Sequence, residues 1–228
     1  MLWRGRDLSV DKIKITDLYE NIPFYLKDEL EKHIYPWEVL PQIKGLIAEM
    51  LESIPQGYRL IADGVLAADG VRIDKSAHIT GPAIIGRNTE IRPSAYLRGN
   101  VIIGEGCVVG NSTELKNCIL MDGVAVPHYN YVGDSILGSG SHLGAGTVCS
   151  NLKSDKEWVV IRGEKNYETR LRKVGAFLGD GADVGCSSVL NPGTVVGKNT
   201  RVYPLTSLRG VYPEESIVKG STEWCVRY

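Results

Sequence analysis

Residues 73–103, IDKSAHITGPAIIGRNTEIRPSAYLRGNVII, place a branched aliphatic residue at every sixth position. The same spacing continues to Leu115 and returns, after short slips, as far as Leu208. An amphipathic helix repeats at 3.6 residues and a simple strand at 2, so neither explains a period of six. Short strands joined by corners do explain it, because the aliphatic residues then stack inward from coil to coil and Gly, Asn or Asp turn the corners. The repeat predicts a mainly β solenoid.

Two segments depart from the six-residue period. Residues 1–56 carry apolar residues at helical spacing: Trp37, Leu40, Ile43, Leu46, Ile47, Met50 and Leu51. We predict a helical N-terminal segment that caps or clamps the solenoid, since the end of a solenoid must be covered. Within residues 152–177, EWVVIR and YETRLR flank GEKN, which predicts an inserted β-hairpin over a site or an interface. Residues 57–220 would form the β-helix domain and 221–228 a tail.

Composition and charge exclude several classes of protein. The 228 residues include 26 Lys and Arg against 27 Asp and Glu, so no basic surface is expected to attract nucleic acid or a membrane. The start, MLWRGRDLSVDK, lacks the apolar run of a signal peptide. The five cysteines form no CxxC pair, and Cys107 and Cys149 fall on inward positions. We therefore expect a cytoplasmic protein with reduced cysteines.

Three stretches carry a closer resemblance: LRGNVIIGEGCVVGNSTELKN, PHYNYVGDSILG and HLGAGTVCSN. They resemble the acetyltransferase half of GlmU-type bifunctional enzymes, which are hexapeptide-repeat acyltransferases. The resemblance implies a left-handed parallel β-helix of triangular section, assembled as a homotrimer with active sites between subunits. It also implies an acetyl-CoA-dependent N-acetyltransferase acting on an amino-sugar 1-phosphate, such as glucosamine 1-phosphate, in nucleotide-sugar or cell-envelope precursor synthesis. The whole chain is similar to small stand-alone proteins labelled UDP-N-acetylglucosamine pyrophosphorylase-related.

The resemblance assigns His128 as the catalytic base. Amide formation needs a group that removes a proton from the attacking amine, and histidine titrates near the pH at which enzymes work. A histidine in this position could also be an exposed turn residue with no role. The neighbouring sequence, HYNYVGD, favours the base.

The acceptor would lie along residues that the repeat and the resemblance bring together. Arg98 and Lys116 are 18 residues apart, which is one full coil, so they should stack roughly 5 Å apart on the outer surface. Two like charges that close repel each other unless an anion bridges them, although both could simply be solvated. The next position in that column is Gly133, which would leave space for a ligand. In the family these two positions hold the sugar phosphate.

The other implied contacts are with the sugar and with CoA. The resemblance gives Tyr131 and Asn151 hydrogen bonds to the sugar, and places His142 where the family usually has an asparagine that touches it. Ala145 lies one coil beyond His128, where its N–H could stabilise the oxyanion of the thioester carbonyl or merely form a corner. Cys186 stands near a serine that the family uses around CoA.

Differences between this sequence and the family pattern leave a second functional hypothesis open. The Gly-rich nucleotide loop of a pyrophosphorylase is missing, so no pyrophosphorylase activity is expected. Glu157 aligns with a family lysine, and the C-terminal section resembles the β-helical tails of sugar-1-phosphate nucleotidyltransferases. The alternative is thus a non-catalytic oligomerisation or effector-binding module for a separate nucleotidyltransferase. Carbonic anhydrases of the γ type share the fold, but His78, His128 and His142 are spaced too far apart to bind one zinc ion, so no metal is expected.

Overall fold

The protein is described from a computed structural model, which defines residues 11–220 and 223–226 and, of Phe24, only the backbone. The outer parts of the predicted N-terminal segment and tail, residues 1–10, 221–222 and 227–228, lie outside this description. The helices are α1 (Ile15–Leu18), α2 (Phe24–Leu30) and α3 (Ile43–Glu52), with 3-10 turns at Pro36–Glu38 and Leu40–Gln42.

The strands are short and follow one another to the C-terminal end. In chain order they are β1 (Tyr58–Ala62), β2 (Val65–Ala68), β3 (Arg72–Ile73), β4 (His78–Thr80), β5 (Ala83–Ile85), β6 (Glu90–Ile91), β7 (Tyr96–Arg98), β8 (Val101–Ile103), β9 (Val108–Asn111), β10 (Glu114–Lys116), β11 (Cys118–Leu120), β12 (Ala125–His128), β13 (Tyr131–Gly133), β14 (Ile136–Leu137), β15 (His142–Leu143), β16 (Val148–Cys149), β17 (Val160–Arg162), β18 (Asn166–Glu168), β19 (Ala176–Leu178), β20 (Asp183–Val184), β21 (Val189–Leu190), β22 (Thr194–Val196), β23 (Arg201–Val202), β24 (Ser207–Leu208), β25 (Val211–Tyr212), β26 (Ser216–Gly220) and β27 (Glu223–Val226).

All of these strands except β17 and β18 stack into three faces of a solenoid. The first face has the order β1-β2-β5-β8-β11-β14-β19-β22-β25, the second β27-β26-β23-β20-β15-β12-β9-β6-β3, and the third β24-β21-β16-β13-β10-β7-β4. Strands of successive coils pair in parallel, and residues 18 apart such as Ile85 and Ile103 lie opposite each other. From Ile85 onward the inward aliphatic residues are buried in one continuous core, whereas Ile79 is partly buried and Ile73, in the first coil, is 37% exposed. The predicted six-residue repeat is confirmed.

The corners require backbone that most residues avoid. Asn88, Asn100 and Asn117 adopt the left-handed region with φ of 58°, 52° and 48°. Asparagine tolerates this region because its short polar side chain can hydrogen-bond locally. The corner after each second-face strand, called here the 2–3 corner, comprises residues 128–129, 144–146 and 185–187 in three successive coils. The corner after each third-face strand is called the 3–1 corner and includes residue 134.

The described part of the helical segment, from residue 11 onward, lies along the side of the solenoid and not over its end. The outward residues of the first face are apolar and buried beneath it: Leu66, Ile84, Ile102, Ile119, Ile136, Phe177 and Val195. Full burial of one such side chain is worth about 1.5–3 kcal/mol, which favours a helical cover over this face. The ends carry antiparallel strands instead, with β1 paired to β2 and β27 paired to β26.

The inserted segment forms the predicted hairpin, with β17 antiparallel to β18. It joins the helical layer through aromatic contacts. The Tyr167 ring meets Tyr35 and Trp37 edge-on at 5.8 and 6.3 Å, and Trp37 stacks on Tyr35 at 4.5 Å. Asp11 accepts hydrogen bonds from the Tyr167 hydroxyl at 3.1 Å and from the Glu164 N–H at 2.6 Å. Hairpin and helices together cover the first face, which leaves the second and third faces for function.

The buried cysteines are free thiols. Cys107, Cys118 and Cys149 lie in the core, while Cys186 and Cys225 are exposed. Burial raises the pKa of the Cys107 and Cys149 thiols to about 12, so both are protonated at neutral pH. Of the helices formed by the described residues, none combines the length and apolar character needed to cross a bilayer.

Candidate active site

His128 ends β12 and lies exposed at the 2–3 corner. The two residues after it explain how the corner is held. Tyr129 takes a φ of 50° and is 65% exposed, whereas Asn130 turns inward and is 2% exposed. The Asn130 side chain accepts a hydrogen bond from the His128 N–H at 3.1 Å and donates one to the Gly144 carbonyl at 2.8 Å. Asn130 therefore fixes the backbone on which His128 is presented.

The next two coils place Ala145 and Cys186 at the same corner. The Gly146 N–H donates to the His128 carbonyl at 3.0 Å, and the Ser187 N–H donates to the Ala145 carbonyl at 2.8 Å. Within the described residues the Ala145 N–H makes no hydrogen bond and remains available as a donor. A Cβ at Gly144 would meet the Cys186 N–H nitrogen at 2.6 Å, so glycine permits the close stacking of these turns.

A second cluster lies on the third face around a buried carboxylate. Asp134 is 4% exposed and accepts hydrogen bonds from the Lys116 ammonium at 3.0 and 3.1 Å. It also accepts from the Asn117 amide at 2.9 Å and from the Asn151 amide at 2.5 Å. The Asn151 amide is 3.2 Å from the Tyr131 hydroxyl. Lys116 and Asn151 thus meet at Asp134, and Tyr131 joins the cluster through Asn151.

Burial is the main cause that raises the pKa of Tyr131 above its ordinary value, and the negative charges of Asp134 and Glu114 add to it. The phenol is therefore neutral at physiological pH and able to donate a hydrogen bond. This is the form needed to bind an oxygen of a sugar or a phosphate.

The two cations expected to repel each other have separate partners. Arg98 and Lys116 occupy neighbouring coils at the same register, as predicted. However, Arg98 donates to the Glu114 carboxylate at 2.5 Å, while Lys116 is paired with Asp134. The repulsion expected in the ligand-free protein is thereby offset within the chain. A phosphate would have to compete with these carboxylates or rearrange the two side chains.

The space expected over Gly133 is also different from the prediction. A Cβ added at Gly133 would meet the Tyr131 hydroxyl at 2.5 Å and the Asn151 amide at 2.7 Å. The volume above this glycine is therefore filled by the chain's own Tyr131 and Asn151 side chains. Glycine is needed here so that the tyrosine can reach across the strand.

His142 lies on the second face, away from the acceptor cluster. It begins β15, with Ala125 opposite it in one neighbouring coil and Asp183 in the other. The His142 Nδ1 atom is 2.8 Å from the Asp183 Oδ1 atom. Ala125, His142 and Asp183 each precede a residue of the 2–3 corner by three positions. The His142–Asp183 pair therefore borders the turns that contain Ala145 and Cys186.

Sequence reasoning did not identify Asp134, Glu114 or Asp183. Asp134 follows Gly133, the residue opposite Lys116 in the next coil, but the spacing does not show that its side chain turns back to Lys116. Asp183 was hidden because the inserted hairpin separates it from His142 by 41 residues. In the part of the chain that the structure describes, no group of three or more His, Cys, Asp or Glu residues could hold a metal ion.

Comparisons with known proteins agree with this architecture. A family model described as the GMPPB C-terminal domain matches residues 79–166. The bifunctional protein GlmU of Methanococcus vannielii is 36% identical over 72% of this chain and 41% of that protein. A bifunctional sugar-1-phosphate nucleotidylyltransferase/acetyltransferase of Sulfurisphaera tokodaii is 33% identical over 74% of this chain and 43% of that protein. This chain is a hexapeptide-repeat β-helix protein related to GlmU. It spans less than half the length of these two relatives.

The solved structures support the same fold. The UDP-N-acetylglucosamine acyltransferase from Campylobacter jejuni matches with a TM-score of 0.50 at 17% identity, over 73% of this chain and 71% of that chain. The predicted fold class, a left-handed parallel β-helix with a helical segment and an inserted hairpin, is confirmed. The roles of the individual site residues stay predictions.

Proposed function

We propose that this protein is an acetyl-CoA-dependent N-acetyltransferase that acts on an amino-sugar 1-phosphate, such as glucosamine 1-phosphate. Its place would be nucleotide-sugar or cell-envelope precursor synthesis in the cytoplasm. The observation that carries the proposal is the column at the 2–3 corner, where His128, Ala145 and Cys186 lie in three successive coils. A base, a free N–H donor and the proposed CoA contact are then aligned along one edge.

In the proposed reaction the amine nitrogen attacks the carbonyl carbon of the acetyl thioester. His128 accepts a proton from the amine as the C–N bond forms. The His128 ring is exposed and, among the described residues, forms no hydrogen bond, so a ring nitrogen is open to the acceptor. A neutral imidazole has one nitrogen that accepts a proton and one that carries it.

The tetrahedral intermediate carries a negative charge on the former carbonyl oxygen. The Ala145 N–H, one coil beyond His128, is the donor assigned to that oxygen. When the intermediate collapses, the C–S bond breaks and the leaving CoA sulfur takes the proton held by His128. The products are the acetylated amine and the free thiol of CoA. Cys186, in the following coil, would contact the CoA chain.

The third-face cluster would hold the acceptor. Tyr131 and Asn151 offer a neutral phenol and an amide to the sugar, and Arg98 and Lys116 would bind its phosphate. The guanidinium has five N–H donors, so a contact with Glu114 leaves donors for a phosphate. Asp134 would act as a positioning residue, because it holds Lys116 and Asn151 in place before the acceptor arrives.

We further propose a homotrimer with shared sites. The helical layer covers the first face, so the second and third faces remain for contacts between subunits. His142 and its partner Asp183 lie on the second face, while Lys116 and Tyr131 lie on the third. Packing a second face against the third face of a neighbour would bring both sets of residues to one acceptor.

One observation favours a second candidate, the non-catalytic module that partners a separate nucleotidyltransferase. The third-face cluster is electrically balanced within the chain, since Arg98 and Lys116 are paired with Glu114 and Asp134. A balanced cluster attracts a free phosphate less strongly than two unpaired cations would. A module of this kind would bind an effector or a protein and would not consume acetyl-CoA.

Acetylation of a panel of amino-sugar phosphates and plain amino sugars would test the proposal. Release of CoA is read as free thiol, and the acetylated product is identified by mass spectrometry. We expect transfer to at least one amino-sugar 1-phosphate and little to the sugars without phosphate. Absence of transfer to every acceptor, with a folded protein, would support the non-catalytic module.

A further inference from the structure

The two ends of the solenoid differ in how the core is closed. At the C-terminal end β27 folds back on β26, and Trp224 packs against the inward core. At the N-terminal end β3 and β4 are the outermost strands of their faces, with Ile73 exposed and Ile79 only partly buried. Their counterparts one coil later, Ile91 and Leu97, are fully buried. The described residues therefore leave the first coil of the core without a cover.

Strand β1 adds further apolar residues at the same end. It is the outermost strand of the first face, and among the described strands it pairs only with β2. Leu60 and Ile61 in β1 are 56% and 39% exposed, and Ile54, just before the strand, is also exposed. An exposed edge strand with aliphatic side chains is a place where another chain can attach. These three residues, with Ile73 and Ile79, are called here the open end.

Residues 1–10 are too short to cover the open end. Asp11 is held by the inserted hairpin, and Lys12 is paired with Glu214, just after β25. Strands β25 and β1 are the two outermost strands of the nine-stranded first face, so eight spacings of ~4.8 Å, or ~38 Å, separate them. Ten fully extended residues span at most ~36 Å, which leaves none to lie over the open end. The other residues outside the description adjoin β27, at the opposite end.

Two charged residues make the open end complementary to itself. Arg59 and Asp63 lie two residues on either side of Ile61, and both are exposed. Neither has an ion-pair partner within residues 11–220 and 223–226. A twofold axis near Ile61 would bring Arg59 of one copy to Asp63 of the other, and the reverse. The register of β1 shifts between Leu60 and Ala62, so such a contact would be made by side chains and not by a continuous sheet.

We propose that the open end binds the open end of a second copy of this chain, so that two solenoids stack end to end about a twofold axis. The aliphatic side chains of both copies would be covered, and Arg59 and Asp63 would gain partners. The apolar residues of the open end are far fewer than the ~20–30 residues that each partner contributes to a standard interface, so the contact is weak. We expect the proposed trimers to stay separate at micromolar concentration and to pair at roughly 100 μM.

Sedimentation velocity from micromolar to several hundred micromolar protein tests the stacking. The mass should rise to twice its micromolar value and then stay constant. Ile61→Lys should abolish the rise, because it places two like charges beside the axis. Ile34→Lys is the matched control, since it replaces another exposed isoleucine, on the helical segment, and should leave the rise unchanged. Equal melting temperatures would show that both variants are folded.

A charge swap separates a second copy from any other partner. Arg59→Asp sets carboxylates opposite each other and should weaken the pairing at least tenfold, by roughly the cost of a like-charge contact. Combining Arg59→Asp with Asp63→Arg should restore the pairing, because both copies then carry the exchanged charges. Failure of the double variant to restore it would overturn the twofold contact.

A mass that stays constant over the whole concentration range would overturn the proposal and leave the open end to a different protein, such as a separate nucleotidyltransferase. An equal rise in Ile61→Lys and the unaltered protein would overturn it as well. The result is independent of acetyl transfer and of the trimer. Doubling from one chain to two supports the stacking as fully as doubling from three chains to six.

Discussion

The Nδ1 atom of His142 lies 2.8 Å from the Oδ1 atom of Asp183, across one coil of the second face. An ionised carboxylate only accepts hydrogen bonds, so the imidazole donates to Asp183 through Nδ1–H. An asparagine at this position can offer an amide but cannot take up a proton. The pair therefore differs chemically from the asparagine that the resemblance implies at this position.

We predict that His142→Asn shifts acceptor preference toward glucosamine 1-phosphate. Asp183→Asn should change the acceptor ranking in the same direction, because the imidazole loses the carboxylate that orients it. The measurement is kcat/KM for a panel of amino-sugar phosphates. Asp69→Asn, at a distant corner, is the matched control. An unchanged ranking in both variants would show that this pair does not control acceptor choice.

His128→Ala should lower turnover by about 10²–10⁴-fold, the usual contribution of a general base. The melting temperature should stay nearly constant, because the His128 side chain is exposed and the corner is held by Asn130. His33→Ala, which removes a contact with Glu29 far from the corner, should keep full activity. Equal turnover in His128→Ala and the unaltered protein would assign His128 to a structural turn.

Arg98→Lys should weaken binding of an amino-sugar 1-phosphate roughly tenfold and leave acetyl-CoA binding unchanged. Lysine keeps the charge but lacks the planar fork that contacts a phosphate through two N–H groups. Arg87→Lys is the control, since Arg87 also contacts carboxylates but lies at another corner. Thermal shifts with phosphorylated and plain amino sugars complete the test. Equal shifts of the melting temperature with both kinds of sugar would show that the protein has no site for the phosphate.

Thiol labelling should distinguish two classes of cysteine. Cys186 and Cys225 are exposed and should react with an aromatic disulfide reagent at mildly alkaline pH. Cys107, Cys118 and Cys149 should react only after unfolding, because burial raises the pKa of each thiol and blocks access. Three or more thiols that react at once in the native protein would contradict the buried placement of these residues.

Light scattering at micromolar concentration should give the mass of a homotrimer. The second and third faces are the surfaces left for association, since the helical layer covers the first. Tyr131 and His142 lie on those two faces. A stable monomer would exclude the trimer and with it a site shared between subunits.

The repeat by itself determined the coils, the inward residues and the position of Arg98 one coil before Lys116. It could do so because inward packing depends on spacing along the chain, and a period of six has few physical solutions. The hairpin at 152–177 was also predictable, since it interrupts that period with two β-rich segments around GEKN. These features are local, or repeat a local rule.

Only the tertiary structure decided what covers the first face and what pairs with the site residues. Ile84 and Ile102 are outward neighbours of the inward Ile85 and Ile103. Such a run of apolar residues indicates that both sides of the strand are buried, but it does not show which part of the chain covers the outer side. The partners Glu114 and Asp134 depend on how side chains cross between coils. The His142–Asp183 contact depends on the solenoid resuming in register after the inserted hairpin, which spacing along the chain does not specify.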